Sequence, residues 1–142
     1  HDAVVIRTAW LYSEFGNNFV KTMLRLGAER KEISVVADQI GTPTYAQDLA
    51  DAIHAIVKNP EWHPGVYHFT DEGVASWYDF AMEIFRLAGN SRLTVHPLHT
   101  APYPTPARRP PYSVLAKDKI KSVYGIGIPY WRDSLIQCIN NL

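Results

Sequence analysis

Hydrophobic residues along the chain alternate between short apolar runs and longer stretches of helical period. Three short runs rich in β-branched and aromatic residues predict strands: "AVVIR", "EISVV" and "GVYHFT". The first has almost no polar alternation, which is typical of a strand buried on both faces of a largely parallel sheet. A fourth strand is predicted in "RLTVHPL".

Four segments have the three- and four-residue apolar spacing of amphipathic helices. Asn17 or Asn18 is the predicted N-cap of the first helix, and Gly27 is its predicted end. The inward positions predicted for the four helices are Phe19, Val20, Met23 and Leu24; Leu49, Ala50, Ile53, Ile56 and Val57; Trp77, Phe80, Ala81, Ile84 and Phe85; and Trp131, Leu135, Ile136 and Ile139.

The other helix ends also have sequence signals. Thr44 and Gln47 have the spacing of a capping box at the start of the second helix. Ser76 is the predicted cap of the third helix, Gly89 its stop, and the last helix is predicted to begin near Tyr130.

Strands that alternate with helices predict an α/β fold with short, mostly parallel strands. The chain has 142 residues, of which 46% are hydrophobic, so it can form one domain with a substantial core. Residues 97–111 contain six prolines, which predicts an extended segment over the surface rather than a helix or a central strand.

Charge and composition exclude several classes of function. Lys plus Arg and Asp plus Glu both number 14, so no net field attracts nucleic acid or an anionic membrane. No apolar run approaches the roughly 20 residues of a membrane span. The single Cys138 lies on a predicted helix face and is compatible with a reducing cytoplasm. The opening "HDAVVIR" lacks an initiator Met, which we interpret as a piece of a longer protein.

The common catalytic and nucleotide motifs are missing from the sequence. It contains no G-x-G-x-x-G, no P-loop, no Tyr-x-x-x-Lys and no G-x-S-x-G. The pairs His63 and His68, and His96 and His99, have no acidic or Cys partner at metal-ligand spacing. The sequence therefore predicts binding rather than a complete catalytic centre.

Binding-type residues occur where predicted elements end. Trp10 follows the first strand at its C-terminal end, the edge where open α/β sheets bind ligands, and suits stacking on a sugar or base. Core packing is the alternative for this indole. Asn17 and Asn18 suit either helix capping or contact with an anion.

A second group lies in two loops. The loop from Asp38 to Thr44 contains mostly hydrogen-bonding side chains, and Gly41 and Pro43 interrupt regular structure there. Arg108 and Arg109 lie among prolines and could present a guanidinium to a diphosphate or remain solvated. Because Arg109 precedes Pro110, its backbone is biased to an extended form in which adjacent side chains point apart, so one arginine faces a ligand.

Taken in order, five segments resemble the C-terminal half of the dTDP-4-dehydrorhamnose reductase family, which are extended short-chain dehydrogenase/reductases with a Rossmann-like fold. The segments are "VVIRTAWLYS", "GNNFVKTMLRL", "ISVVADQIGTPTYAQDLA", "GVYHFTDEGVASWYDFAMEIF" and "ARRPPYSVLAKDKI". The resemblance implies that residues 1–142 are a substrate-binding domain of an oxidoreductase that uses NADPH (or NADH) in dTDP-L-rhamnose synthesis.

The resemblance also implies roles for individual residues. The dinucleotide-binding part and the catalytic Tyr and Lys would precede this chain, which alone would be inactive. Trp10 would line the deoxysugar pocket, and the nucleotide site would be shaped by Asn17, Asn18 and Phe19. The loop residues Gln39, Thr42 and Pro43 would close over the ligand, and Arg109 would pair with the diphosphate.

Assembly and activity leave alternatives open. Some family members are dimers bridged by magnesium through acidic residues, but Gln47 stands where one acid is expected, so we expect a monomer or weak homodimer. The same fold serves as the non-catalytic regulatory subunit of methionine adenosyltransferase. A reductase or epimerase for another dTDP-hexose is a further alternative.

Overall fold

The computed structural model describes residues 2–100 and 109–142. The elements in chain order are β1 Val4–Arg7, β2 Leu11–Tyr12, α1 Phe19–Glu29, β3 Glu32–Val36, β4 Ile40–Gly41, β5 Thr44–Tyr45, α2 Ala46–Lys58, β6 Gly65–His68, β7 Ala75–Ser76, α3 Trp77–Leu87, β8 Thr94–Leu98, α4 Asp118–Tyr124 and α5 Trp131–Asn140. The predicted α/β class is confirmed, as are the four predicted strands and the four predicted helices.

The strands of the described ranges form four two-stranded pairs. Pairs β1–β6, β3–β8 and β2–β5 are parallel, and β4–β7 is antiparallel. The predicted preference for parallel pairing is therefore confirmed. The two-residue strands were missed by sequence analysis, because two residues are too few to show an alternating pattern.

The prediction that the first strand is buried on both faces is wrong for this chain. Val4 and Ile6 pack against a cluster of buried residues, whereas Val5 is 49% exposed. Its partner in the parallel register, Val66, is 44% exposed on the same face. Among the described residues, apolar side chains therefore pack against only one face of β1, the face of Val4 and Ile6.

Two clusters of buried side chains form the core. The larger lies among α1, α3 and α5 and includes Val20, Phe80, Ile84 and Leu135, all with no measurable exposure. The smaller cluster joins α2, β6 and α4 and includes Ile56, Tyr67, Phe69, Ile120 and Tyr124. Helix α4 was missed because its seven residues provide two buried positions and no capping side chain.

The predicted end of the first helix at Gly27 is wrong. Asn18 is the N-cap, as predicted, with Oδ1 accepting a hydrogen bond from the Lys21 N–H at 3.2 Å. Helix α1 continues through Gly27 to Glu29. A Cβ on Gly27 would lie 2.7 Å from Asn90 Nδ2 and 2.9 Å from Phe85 Cε1. Gly27 therefore allows close contact with the end of α3 rather than terminating α1.

The capping box predicted at Thr44 and Gln47 is also wrong. Thr44 is fully buried in β5, and its hydroxyl donates to the Ala9 carbonyl at 2.6 Å. Gln47 instead donates to Asp51 on the surface of α2. The N–H of Tyr45, the N-cap residue of α2, donates to Asp71 Oδ2 at 3.0 Å. A side chain distant in sequence therefore provides a hydrogen bond at the start of this helix.

The apolar face predicted for α2 is partly wrong, since Ala50, Ile53 and Val57 are exposed while Ala52 and Ile56 are buried. The other helices agree better with prediction. A capping box forms at the start of α3: the Ser76 hydroxyl accepts the Asp79 N–H, and the Asp79 carboxylate accepts the Ser76 N–H. The predicted inward residues of α1, α3 and α5 are buried or half-buried, except Ile136 at 38% exposure.

Candidate functional site

Three of the predicted binding residues meet in one cavity of about 280 Å³. It is lined by Ala9, Trp10, Gln39, Trp77, Arg109, Pro110 and Ser113. Three larger cavities among the described residues, of about 310, 400 and 370 Å³, lie near the α2–α4 contact, near Arg132 and beside the turn that follows α3. No predicted binding residue lines any of them. We therefore take the 280 Å³ cavity as the candidate site, and call it the Trp10 cavity.

An aromatic wall forms one side of the Trp10 cavity. The Trp10 and Trp77 rings stack with centroids 3.6 Å apart and planes 13° from parallel. Phe19 packs against Trp77 from the core, at 4.7 Å between ring centroids. Trp10 is half-buried, so the structure combines the two alternatives for this residue: it packs on a neighbour and also lines a cavity.

The backbone places Trp10 in an unusual conformation. Its φ of 49° lies in the left-handed region, which is uncommon for a bulky side chain. The Thr44 N–H donates to the Trp10 carbonyl at 3.1 Å, which ties this residue to β5. A Cβ on Gly41 would lie 2.6 Å from Trp10 Cε2, so the indole fits because residue 41 has no side chain. Strain at a cavity wall is typical of functional positions.

Short backbone pairings bring the remaining residues to this wall. Ile40 donates its N–H to the Pro111 carbonyl and accepts from the Ser113 N–H, both at 2.8 Å. These bonds hold the segment from Arg109 to Ser113 beside β4. The exposed Arg109 side chain is the cation that lines the cavity. Arg108, the arginine of the pair not expected to face the ligand, lies outside the described residues, as does most of the proline-rich segment.

Gln39 is 8% exposed and is held by a hydrogen-bonded group. Its Nε2 donates to Thr100 Oγ1 at 3.0 Å, and Thr100 Oγ1 donates to Asp38 Oδ1 at 2.6 Å. The Thr100 N–H also donates to the Asp38 carboxylate, at 2.9 and 3.0 Å from its two oxygens. The hydrogen bonds from Thr100 hold the pKa of Asp38 below its usual range.

The structure does not bring the other predicted binding residues into the Trp10 cavity. Asn18 caps α1 and Asn17 is exposed. Thr42 is fully buried, with its hydroxyl donating to the Gly73 carbonyl at 2.8 Å, and Pro43 is also buried. Phe19 stands behind the aromatic wall. Direct contact of these five residues with a ligand stays a prediction.

Trp77 and Ser113 line the cavity and were missed as candidate site residues. Trp77 has the helical spacing of a core residue, and that pattern alone gives no sign of a ligand-facing role. The one available signal was the Ser76 cap, which places Trp77 at the first position of α3. Its approach to Trp10 depends on the β4–β7 pairing, which joins residues 40 and 76.

Comparison with known proteins assigns the chain to a family. The family model described as the RmlD substrate binding domain matches residues 1–142. The chain belongs to this family.

Relatives of this RmlD substrate-binding domain include named enzymes. A dTDP-4-dehydrorhamnose reductase from Aggregatibacter actinomycetemcomitans is 43% identical, over 94% of this chain and 48% of the relative. A probable dTDP-4,6-dihydroxy-2-methyloxan-3-one 4-ketoreductase from Streptomyces antibioticus is 44% identical, over 94% and 45%. The chain thus spans about half the length of the relatives that it matches.

The fold is also shared with a solved reductase. The crystal structure of dTDP-4-dehydrorhamnose reductase from Bacillus anthracis, in complex with NADP, has a TM-score of 0.90 and 40% identity. That match covers 99% of this chain and 49% of the reductase chain. The RmlD domain described here therefore has the Rossmann-like α/β architecture of those enzymes.

The described residues form no glycine-rich turn of the kind that cradles the phosphates of a dinucleotide. A phosphate-cradling turn needs neighbouring glycines where backbone N–H groups converge. Here the glycines with positive φ stand singly at separate turns, at Gly16, Gly65, Gly73, Gly89 and Gly125. Among residues 2–100 and 109–142, no group of three His, Cys, Asp or Glu side chains could hold a metal ion. None of the helices in these ranges is long and apolar enough to cross a membrane.

A buried acidic pair lies away from the cavity and was not anticipated. Asp71 has no exposed surface, and burial, assisted by the neighbouring Asp48 carboxylate, raises its pKa to about 8. Burial also raises the pKa of Asp48. Lys117, itself 8% exposed, donates to the Asp71 carbonyl at 2.7 Å and pairs with Glu72 at 3.1 Å. These groups tie α2 and α4 to the segment after β6.

Proposed function

We propose that residues 1–142 are the sugar-nucleotide-binding part of an NADPH-dependent reductase that converts dTDP-4-dehydro-L-rhamnose to dTDP-L-rhamnose. The observation that carries this proposal is the meeting of Trp10, Gln39 and Arg109 in one cavity. These residues come from three separate loops and supply an aromatic face, a polar amide and a cation. A sugar diphosphate presents the complementary groups.

Each group of the cavity has a role in the proposed complex. The aromatic wall of Trp10 and Trp77 packs against the apolar face of the deoxysugar or the thymine ring. The Arg109 guanidinium forms paired hydrogen bonds with the diphosphate oxygens. Gln39 hydrogen-bonds to a polar group of the ligand, which sets its orientation.

The remaining parts of the reaction lie outside this chain in our proposal. NADPH, when bound, supplies the hydride for the 4-keto group, and a tyrosine assisted by a lysine supplies the proton. The relatives are about twice as long as this chain, which leaves room for both functions. We further propose a cytoplasmic protein that is a monomer or weak homodimer, without a magnesium bridge at Gln47.

Loss of NADPH absorbance tests the proposal with the full-length protein that contains this chain. We expect oxidation that depends on dTDP-4-dehydro-L-rhamnose, with dTDP-L-rhamnose as the product by chromatography. A protein that binds neither dTDP nor the product, and does not oxidise NADPH, contradicts the proposal. That result is instead expected of the non-catalytic alternative, a regulatory subunit of the methionine adenosyltransferase type.

A ketoreductase for another dTDP-hexose is the second candidate function. It is supported by the 44% identity to the Streptomyces antibioticus protein, whose name specifies a different ketosugar. Parallel assays with several dTDP-4-ketohexoses separate the two candidates. A higher kcat/KM for a ketosugar other than dTDP-4-dehydro-L-rhamnose favours the second.

A further inference from the structure

The two loops that carry Asp38 and Thr100 are joined immediately beside the Trp10 cavity. Asp38 follows β3 and Thr100 follows β8, the two strands that pair in parallel. The Ala37 N–H donates to the Leu98 carbonyl at 2.9 Å, which extends this pairing beyond the strands. The three hydrogen bonds from Thr100 to the Asp38 carboxylate then complete what we call the Asp38–Thr100 clasp.

The clasp determines which way the Gln39 amide faces. A threonine hydroxyl has one proton, and here that proton is donated to Asp38 Oδ1 at 2.6 Å. Thr100 Oγ1 can therefore only accept from Gln39, which requires Nε2 on that side at 3.0 Å. The low pKa of Asp38 keeps the carboxylate ionised, so this direction of donation does not reverse at neutral pH. The clasp thus leaves Gln39 Oε1 as the amide's acceptor.

Gln39 Oε1 is available to a ligand as far as the described residues are concerned. Gln39 lines the Trp10 cavity together with Arg109. No donor from residues 2–100 or 109–142 forms a hydrogen bond with Oε1, whereas Nε2 is committed to Thr100. Ser113, the other polar side chain of the cavity, donates its hydroxyl proton to the Ile40 carbonyl at 3.1 Å. Both groups therefore present acceptors, and Arg109 presents the donor.

We propose that Thr100 is a positioning residue that fixes Gln39 Oε1 as a specificity-determining acceptor for a hydrogen-bond donor of the sugar nucleotide. The inference rests on the proposed function and deepens it, because it names the chemical group that the cavity selects. Two donors share this chemistry: a hydroxyl of the deoxysugar and the N–H of thymine. A site built around a fixed acceptor discriminates against ligands that lack the matching donor.

The test is a double-mutant cycle on the full-length protein, with affinities measured by calorimetry for dTDP-L-rhamnose and for dTDP. Thr100→Val removes the hydroxyl at nearly constant volume and frees the Gln39 amide to rotate. Gln39→Met removes the acceptor. We expect each single change to weaken dTDP-L-rhamnose binding roughly tenfold, as for loss of one buried hydrogen bond to a ligand. In the Gln39→Met background, Thr100→Val is expected to have no further effect.

Two further variants separate positioning from general damage to the fold. Thr100→Ser keeps the hydroxyl and is expected to bind as the parent does. Thr94→Val, at an exposed position of β8, the strand that precedes Thr100, is the matched control and is expected to leave affinity unchanged. If Thr100→Val does not fold, as judged by thermal melting, Gln39→Met compared with Gln39→Glu tests the acceptor, because a glutamate keeps an acceptor oxygen but cannot donate to Thr100. We then expect weaker binding by both variants, and parent-like binding by either one overturns the inference.

Each outcome decides between the readings. If the affinity for dTDP-L-rhamnose falls and that for dTDP is unchanged, the proposal is supported and the donor belongs to the sugar. If the affinity falls equally for both ligands, the proposal is supported and the donor belongs to the nucleoside. Additive losses in the double mutant, or parent-like binding by Thr100→Val, overturn the inference while the proposed function stands. A parent protein that binds neither ligand overturns both.

Discussion

Replacing Asp71 with asparagine is expected to remove a pH-dependent penalty from the stability of the protein. Asp71 is fully buried, and its Oδ2 accepts the Tyr45 N–H at 3.0 Å. Its pKa rises from 3.8 to about 8, mainly because of burial and partly because of the neighbouring Asp48 carboxylate. The folded protein therefore holds this proton far more tightly than the unfolded chain does.

The sign and size of the effect follow from the two pKa values of Asp71. Below pH 4 the carboxyl is protonated in both states, and its full contribution to stability is present. Between its unfolded pKa near 4 and its folded pKa near 8, unfolding releases a proton, so stability falls by roughly 1.4 kcal/mol for each unit of rising pH. Above pH 8 the contribution is lost and the curve becomes level.

Asparagine preserves the contacts of the protonated acid without the titration. Its Oδ1 can accept the Tyr45 N–H as Asp71 Oδ2 does, and its neutral amide removes the repulsion with the neighbouring Asp48 carboxylate. We expect Asp71→Asn to be more stable than the parent at pH 8, with the difference shrinking as the pH falls towards 5. Asp71→Ala also lacks the titration but leaves the Tyr45 N–H unpaired, so it is expected to be about 1–3 kcal/mol less stable than Asp71→Asn at every pH.

Urea unfolding followed by tryptophan fluorescence, at intervals between pH 5 and pH 9, measures these differences. Because other ionisable groups also contribute to the pH dependence, the quantity to compare is the free energy of unfolding of the parent minus that of the variant. Asp51→Asn, which changes an exposed carboxyl on α2, the helix that carries Asp48, is the matched control and should leave the slope unchanged. Parallel curves for the parent and Asp71→Asn over this range would refute the reasoning.

Three further predictions concern packing and the cavity. Gly27→Ala is expected to destabilise the protein by about 1–3 kcal/mol in urea unfolding, because its Cβ would meet the end of α3; an unchanged midpoint contradicts this. Trp10→Ala is expected to raise the Michaelis constant for the ketosugar nucleotide by an amount worth about 1 kcal/mol, beyond any change in melting temperature; a drop in melting temperature alone supports a purely structural role. Arg109→Lys is expected to weaken dTDP binding by about 1.5–3 kcal/mol while thymidine binding is unchanged. Equal losses for both ligands would exclude a phosphate contact.

The sequence by itself determined the class of fold and most of the long elements. Helices α1 and α3 repeat their apolar residues over about three turns, and Asn18 and Ser76 cap them through neighbours three residues away. Such signals are local, so they can be found without knowing what packs where. The ordered motifs likewise led to the family, which the comparison of the whole chain confirms.

The candidate site was only partly accessible from the sequence. Trp10, Gln39 and Arg109 were identified from their loop positions and the family resemblance, and the structure brings them together. Thr42 satisfied the same criteria, yet it is buried and its hydroxyl donates a hydrogen bond to the Gly73 carbonyl, 31 positions away. A polar side chain in a loop can serve a ligand or a backbone carbonyl, and composition does not distinguish the two.

Only the tertiary structure decided the contacts between distant segments. Trp77 reaches Trp10 across 67 positions, and Asp71 replaces the expected cap of α2 from 26 positions away. Gly27 has the local signal of a helix end, but the approach of Asn90 and Phe85 explains the glycine instead. Local patterns report the conformation of a segment and the side of it that is apolar. Which residue fills the space opposite depends on how the segments pack, and that packing creates both the Trp10 cavity and the buried carboxyl of Asp71.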